Sequence, residues 1–394
     1  MTRIINLINK KSMRNIIKLS LVGVVALSLT ACKDEPDHVW TPTDVVSTSN
    51  GLFVVGSGSN YSGIDGDLTY YDYGSKKSTL KAFQGVNGKS LGANPNAGIT
   101  YGSKVYLTVT EENVIEVLDK NTLKEIRQIK TTDQLGSTQG LKPRQLFAMN
   151  GHVYYTTYGG ENGSVAEIDT TAFKMTRSWT VGSYPEGITG SPADGGVLLV
   201  ANSNYAAGNG TLSWIDLSNI ANAQNSGVTT KAVKGIENPM QVFISQGQYY
   251  VVDLGHYEST APYAQSGNGL KKVVISGSDY TSETVAPATM AALVNNTFYT
   301  VDAPYGAGKV SYNKYVGGQV TPISGISVDS PCAMNVDPIS KHIFIASYTM
   351  AGGYPSYTTN GYVREFTEDG NPVSQFECGV SVSCIFFNTS LLWQ

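Results

Sequence analysis

Charge is scarce in this chain of 394 residues: Asp, Glu, Lys and Arg make up 15% of it, against about a quarter in ordinary soluble domains. No basic run and no RNA-binding signature occurs among its 27 Lys and Arg, so nucleic acid is not an expected partner. Histidine is limited to His38, His152, His256 and His342, which are scattered. G-x-S-x-G, H-E-x-x-H and P-loop sequences are missing, so the chemistries those motifs mark are not expected. The chain therefore reads as lacking catalytic residues, a resident metal and a cofactor, and as not an enzyme. Cysteine occurs only at Cys32, Cys332, Cys378 and Cys384. Beyond Cys32 this is an odd set, compatible with one disulfide and one free thiol or with three buried thiols at strand starts. No sustained helical period is present, and the longest apolar run, Leu19 to Leu29, is too short to span a bilayer as a helix of ~20 residues.

Glycine (42 residues) and tyrosine (24) are abundant, and much of both falls in a repeat. Seven apolar strands each run into a loop, in segments 52–61, 105–113, 153–163, 198–210, 249–257, 298–308 and 343–354. A turn precedes each strand, at Asn50-Gly51, Tyr101-Gly102, Asn150-Gly151, Asp194-Gly195, Gln246-Gly247, Asn295-Asn296 and Ser340-Lys341. Another strand lies before the turn, often opening at a proline, as at Pro143, Pro185 and Pro331. A third follows with strict apolar/polar alternation, as in residues 113–119 and 211–216, and then a fourth. Four antiparallel strands in ~40–50 residues, repeated seven times, predict an all-β seven-bladed β-propeller. One blade has two apolar faces and cannot bury them alone; a closed ring covers both faces of each. Residues 380–394 look like a first strand without a unit of their own, and are expected to close the ring by pairing near residues 40–56.

The N-terminus predicts export. A basic stretch with Arg14 and Lys18 precedes the apolar run and Leu29-Thr30-Ala31-Cys32, a secretory signal whose end resembles the lipobox of bacterial lipoproteins. That resemblance implies cleavage after residue 31 and lipidation of Cys32. The start codon stays open between Met1 and Met13. Residues 1–31 carry five basic and no acidic residues, so the mature chain has 22 basic against 31 acidic. The division expected is residues 1–31 as signal peptide, 32–39 as an acidic tether and 40–394 as one propeller domain. The acid-rich Lys33-Asp34-Glu35-Pro36-Asp37 resembles the export signal of lipoproteins displayed outside the outer membrane; a plain flexible tether is the other reading.

Pro185-Glu186-Gly187-Ile188, the run Leu198 to Asn202, and Val165-Ala166-Glu167-Ile168-Asp169 resemble the YncE-like propeller family. With the lipobox and the tether, the chain is most similar to the BtuG family of surface lipoproteins. That resemblance implies capture of cobalamin (vitamin B12) or a related corrinoid and delivery to a TonB-dependent outer-membrane transporter.

In a propeller, loops from second to third strands, and from fourth strand to the next blade, emerge on the face that carries the channel mouth. Tyr61, Tyr158, Tyr205, Tyr257, Tyr263, Tyr305, Tyr348, Tyr354 and Tyr357 follow second strands and are expected there. Either these rings cover their own blade edges, or they are amphipathic anchors around a ligand. Asn96, Arg144, Glu186, Met240 and Cys332 begin first strands and are expected at the mouth. Their mixed chemistry suits a large neutral ligand decorated with amides. Asn202, Asn204, Asn209, Asp253 and Asp302 add polar groups nearby. His256, in the longest loop, is the one histidine placed to meet a ligand. Two alternatives remain: a glycan-binding surface protein using the same aromatics, and a metal-dependent lactonase holding a cation on Glu186, Asn202 and Asp302.

Overall fold

The computed structural model describes residues 45–392 apart from 193–195, 204–207 and 219–226. The expected signal peptide, Cys32, the acidic tether, the turn Asp194-Gly195, Asn204 and Tyr205 lie outside the described residues.

The predicted architecture is present: seven four-stranded antiparallel sheets form a β-propeller. Blade 2 runs Pro95–Tyr101, Lys104–Val109, Val114–Asp119 and Glu125–Lys130 from the channel outward. Blades 3 and 4 begin with Pro143–Met149 and Pro185–Ser191, and blades 5, 6 and 7 with Pro239–Ser245, Met290–Val294 and Pro331–Val336. Blade 1 is composite. Its innermost strand is the C-terminal Val382–Leu392, paired antiparallel with Val45–Gly56, and Asp67–Asp72 and Lys77–Thr79 complete it. The ring therefore closes as expected. Among the expected turns that fall on described residues, Asn50-Gly51 departs from expectation: it lies inside Val45–Gly56, at a register shift between Ser49 and Leu52. The reason is that this strand is the second of its blade, so no hairpin precedes it.

Seven apolar clusters occupy the seven blade boundaries. Strand alternation sets them up. Leu198 and Val200 face blade 3 while Leu199 and Ala201 face blade 5; Phe53 and Val55 face blade 2 while Leu52 and Val54 face blade 7. Both faces of each second strand are thus buried, which is why these strands are continuously apolar. Each fully buried Val, Leu, Ile or Phe contributes about 1.5–3 kcal/mol.

Candidate functional site

The innermost strands share one irregularity. Pro95, Pro143, Pro185, Pro239 and Pro331 each pair with the last residue of the second strand, and the register then slips by one residue. The same slip occurs in blade 1 between the Gly56–Val382 and Val55–Cys384 pairs. A proline has no N–H for the ladder and is tolerated where a strand begins or bulges. A bulge bends the strand and re-aims side chains, and bulges concentrate at barrel rims and beside functional sites. The residue after the opening position is in this way delivered to the axis: Asn96, Arg144, Glu186, Met240, Cys332 and Ser383 all line a central cavity of about 670 Å³. Five of these six are the positions expected from the sequence; Ser383 has no proline to announce it. Blade 6 has no bulge and contributes Thr289 and Met290.

A second repeated device builds the rim. In four consecutive blades the residue just past the second strand donates its N–H to the carbonyl of the residue just before the first-strand proline. The pairs are Thr110 to Asn94, Tyr158 to Lys142, Ser203 to Tyr184 and Leu254 to Asn238, at 2.9–3.2 Å. Asn94, Lys142 and Tyr184 hold positive φ of 57°, 57° and 52°, a left-handed conformation that Asn adopts readily and that strains Lys and Tyr. All eight residues line one cleft of about 740 Å³ spread over blades 2 to 5. The cleft shares Arg144, Glu186, Met240 and Leu254 with the channel.

At the cleft floor Arg144 donates from Nη2 to Oε1 of Glu186 at 2.9 Å and from Nε to Oε2 at 3.2 Å. The Tyr158 hydroxyl donates to the same Oε1, and its ring lies under the Arg144 guanidinium at 4.8 Å. Tyr184 stands edge-on to Tyr158, with ring centroids 5.2 Å apart. Glu186 is 3% exposed. Burial pushes its carboxyl upward, and the Arg144 charge and hydrogen bonds oppose that. The pair presents a neutralised, polar and aromatic floor rather than a free charge. Lys142 and Glu111 stand at the cleft edge, 3.9 Å apart.

The expected tyrosines divide. Tyr158 and Tyr257 line the cleft. Tyr257 is carried by a two-stranded insertion, His256–Tyr257 with Gln265–Ser266, and meets Tyr305 edge-on at 6.1 Å. Tyr61, Tyr263, Tyr305 and Tyr354 are exposed and line neither cavity, and Tyr348 packs on Tyr357 at 5.0 Å. The expected polar groups are mostly structural. Asn202 is fully buried, donating to Thr211 and Ser213 of its own blade. Asp253 is fully buried against Lys271 Nζ at 2.7 Å, and Asp302 accepts from Asn268 at 2.7 Å. Glu186, Asn202 and Asp302 are thus tied to separate partners. Among the described residues no group of three or more His, Cys, Asp or Glu is arranged to hold a metal. His256 hydrogen-bonds Glu237 at 2.6 Å. Among the described residues, Cys332, Cys378 and Cys384 are free.

The sequence reading missed Lys142, Tyr184, Ser203 and Asn238. The signal was available: each either precedes a first-strand proline or follows a second strand.

No family model and no curated protein matches the chain. Solved structures do. A putative 6-phosphogluconolactonase from Bacteroides uniformis aligns at 13% identity over 86% of this chain and 100% of that one, with a TM-score of 0.56. A second, from Bacteroides fragilis, aligns at 15% identity over 86% and 98%, with a TM-score of 0.57. A hypothetical selenium-binding protein from Sulfolobus tokodaii aligns at 9% identity over 86% and 93%, with a TM-score of 0.58. At these identities the likeness shows the propeller fold alone. It nevertheless corrects the expectation that the chain is not an enzyme: proteins described as putative lactonases share this architecture. A propeller assembles its groups from several blades, so a missing short motif does not exclude catalysis.

Proposed function

We propose that this chain is an exported lipoprotein, anchored through Cys32 on the outer-membrane surface, that captures cobalamin or a related corrinoid in the cleft over blades 2 to 5. It would pass the ligand to a TonB-dependent transporter. The carrying observation is the cleft itself: Tyr158, Tyr184 and Tyr257 offer aromatic surface, while the charges of Arg144 and Glu186 on its floor neutralise each other. Such a surface favours a large neutral ligand with apolar faces and peripheral amides over a small anion. Calorimetry of the mature protein with cyanocobalamin should show saturable 1:1 binding, weakened by at least tenfold in Tyr158→Ala with Tyr257→Ala. A wild-type protein that binds polysaccharides and no corrinoid would replace this reading with glycan capture.

A second reading, lactone hydrolysis, is favoured by one observation. Glu186 is a buried carboxylate whose pKa is raised by burial, set beside Arg144 in an open cleft, a pairing suited to acid–base work and to steadying a developing oxyanion. Hydrolysis of 6-phosphogluconolactone above the uncatalysed rate, lost in Glu186→Gln, would support it.

A further inference from the structure

Resting on the corrinoid reading, we infer that Ser203 and Asn238 form a subsite for a neutral primary carboxamide of the ligand. Both line the cleft, from adjacent blades. Ser203 is 1% exposed, and its Oγ has no hydrogen-bond partner; Asn238 Oδ1 is buried and equally unpartnered. Three of their four backbone polar groups are engaged: Ser203 N–H donates to Tyr184 O at 2.9 Å, Asn238 N–H to Asp253 Oδ1 at 2.6 Å, and Asn238 O accepts from Leu254.

Leaving such groups unmet in a folded protein costs about 1–3 kcal/mol each, and a site facing a cleft is where a ligand would meet them. At the equivalent rim positions the same need is met within the protein. Thr110 Oγ1 donates to Pro143 O at 2.8 Å, and Tyr158 reaches Glu186. Blades 4 and 5 are where it is not.

The chemistry left open is that of an amide. Asn238 Oδ1 can accept from an amide N–H, and the Ser203 hydroxyl can donate to the amide oxygen. A carboxylate in the same place would set its charge against Asn238 Oδ1. Of the cleft cations, Arg144 is already held by Glu186 and Lys142 stands at the edge beside Glu111. A site built to hydrogen-bond a group rejects the analogue that cannot make the bond.

The test uses the mature protein, cyanocobalamin and the separated monocarboxylic acids made by hydrolysing single side-chain amides of cyanocobalamin. The wild type should bind cyanocobalamin and disfavour one monoacid by about tenfold or more. Ser203→Ala and Asn238→Leu should each weaken cyanocobalamin about tenfold, keep their thermal unfolding midpoint, and lose the discrimination against that same monoacid while still disfavouring others as before. Unchanged binding by both variants, or a wild type indifferent to every monoacid, would overturn the subsite and leave the corrinoid reading standing. A wild type that binds no corrinoid would overturn both.

Discussion

Arg144 and Glu186 each stand one residue past the opening proline of adjacent blades, and the two bulges turn them into a two-point ion pair across the blade boundary. Side-chain exposures of 18% and 5% make it a largely dry pair. Desolvation of Glu186 and attraction to Arg144 oppose each other, so the pair's net worth is small while the cost of halving it is large.

Arg144→Ala should therefore destabilise the protein by about 3–5 kcal/mol, because a buried carboxylate is left without its cation. The double replacement Arg144→Met with Glu186→Leu should recover most of that loss. Urea unfolding of the single and double variants measures the difference; equal losses in both would show that the pair is not coupled.

Asp67 is 8% exposed, its Oδ1 has no partner, and burial raises its carboxyl from the ordinary 3.8 to about 6. The folded state thus holds the Asp67 proton more tightly than the unfolded state does. For a raised acid the linkage makes stability fall as pH rises through the interval from 3.8 to about 6. The drop is at most about 3 kcal/mol for a shift of this size. Asp67→Asn should consequently gain stability relative to wild type at pH 7 and little at pH 4. A gain independent of pH would refute this cause.

The His256 imidazole is exposed, and Glu237, with Glu258 further off, raises its pKa above the ordinary 6.5. A raised histidine contributes its stabilisation fully below the unfolded value and loses it as pH rises through the folded one. The hairpin carrying Tyr257 should accordingly be held more firmly at pH 6 than at pH 9. An NMR titration of His256 checks this: its midpoint should fall in Glu237→Gln.

Phe386 of the closing strand stacks on Phe53 at 5.0 Å, and a Cβ at Gly98 of the next blade would collide with its ring. Phe386→Ala should cost about 3–5 kcal/mol, and Gly98→Val should be comparably harmful through overpacking. Removing residues 382–392 uncovers Leu52 to Val55 and should abolish cooperative thermal unfolding. Retention of a sharp transition by the truncated chain would show that the ring does not need this strand.

Burial pushes the Cys332 thiol up to about 12 and the Cys384 thiol up to about 11, and Cys378 is raised as well. Since the thiolate is the reactive form, none should react with Ellman's reagent at pH 8 in the native protein. All three should react once it is unfolded in guanidinium, with no prior reduction. Fewer than three would reveal a disulfide.

Much of the fold was legible because a second strand buried on both faces must be apolar throughout, and runs such as Leu198 to Ala201 recur at a blade's spacing. Asn50-Gly51 misled because a strong local turn pair sits in a strand whose inner partner comes from the far end of the chain. The mouth positions Asn96, Arg144, Glu186, Met240 and Cys332 were readable from strand-opening residues. Tyrosine was a poorer guide: Tyr158 and Tyr257 reach the cleft, while Tyr61 points to solvent and Tyr348 packs on its neighbour.

Local chemistry along the chain, through apolar period, turn residues and proline, determines that seven blades form and where each begins. Which side chains share a cleft is decided by the ring. Ser203 and Asn238 are 35 positions apart and unremarkable in sequence, and come to line one cleft because blade 4 packs on blade 5. Asn202, one residue earlier, is the last residue of the strand and is fully buried. Asn202 is held by Thr211 and Ser213 of its own blade while Ser203, just past the strand end, lines the cleft, and only the packed blades say which is which.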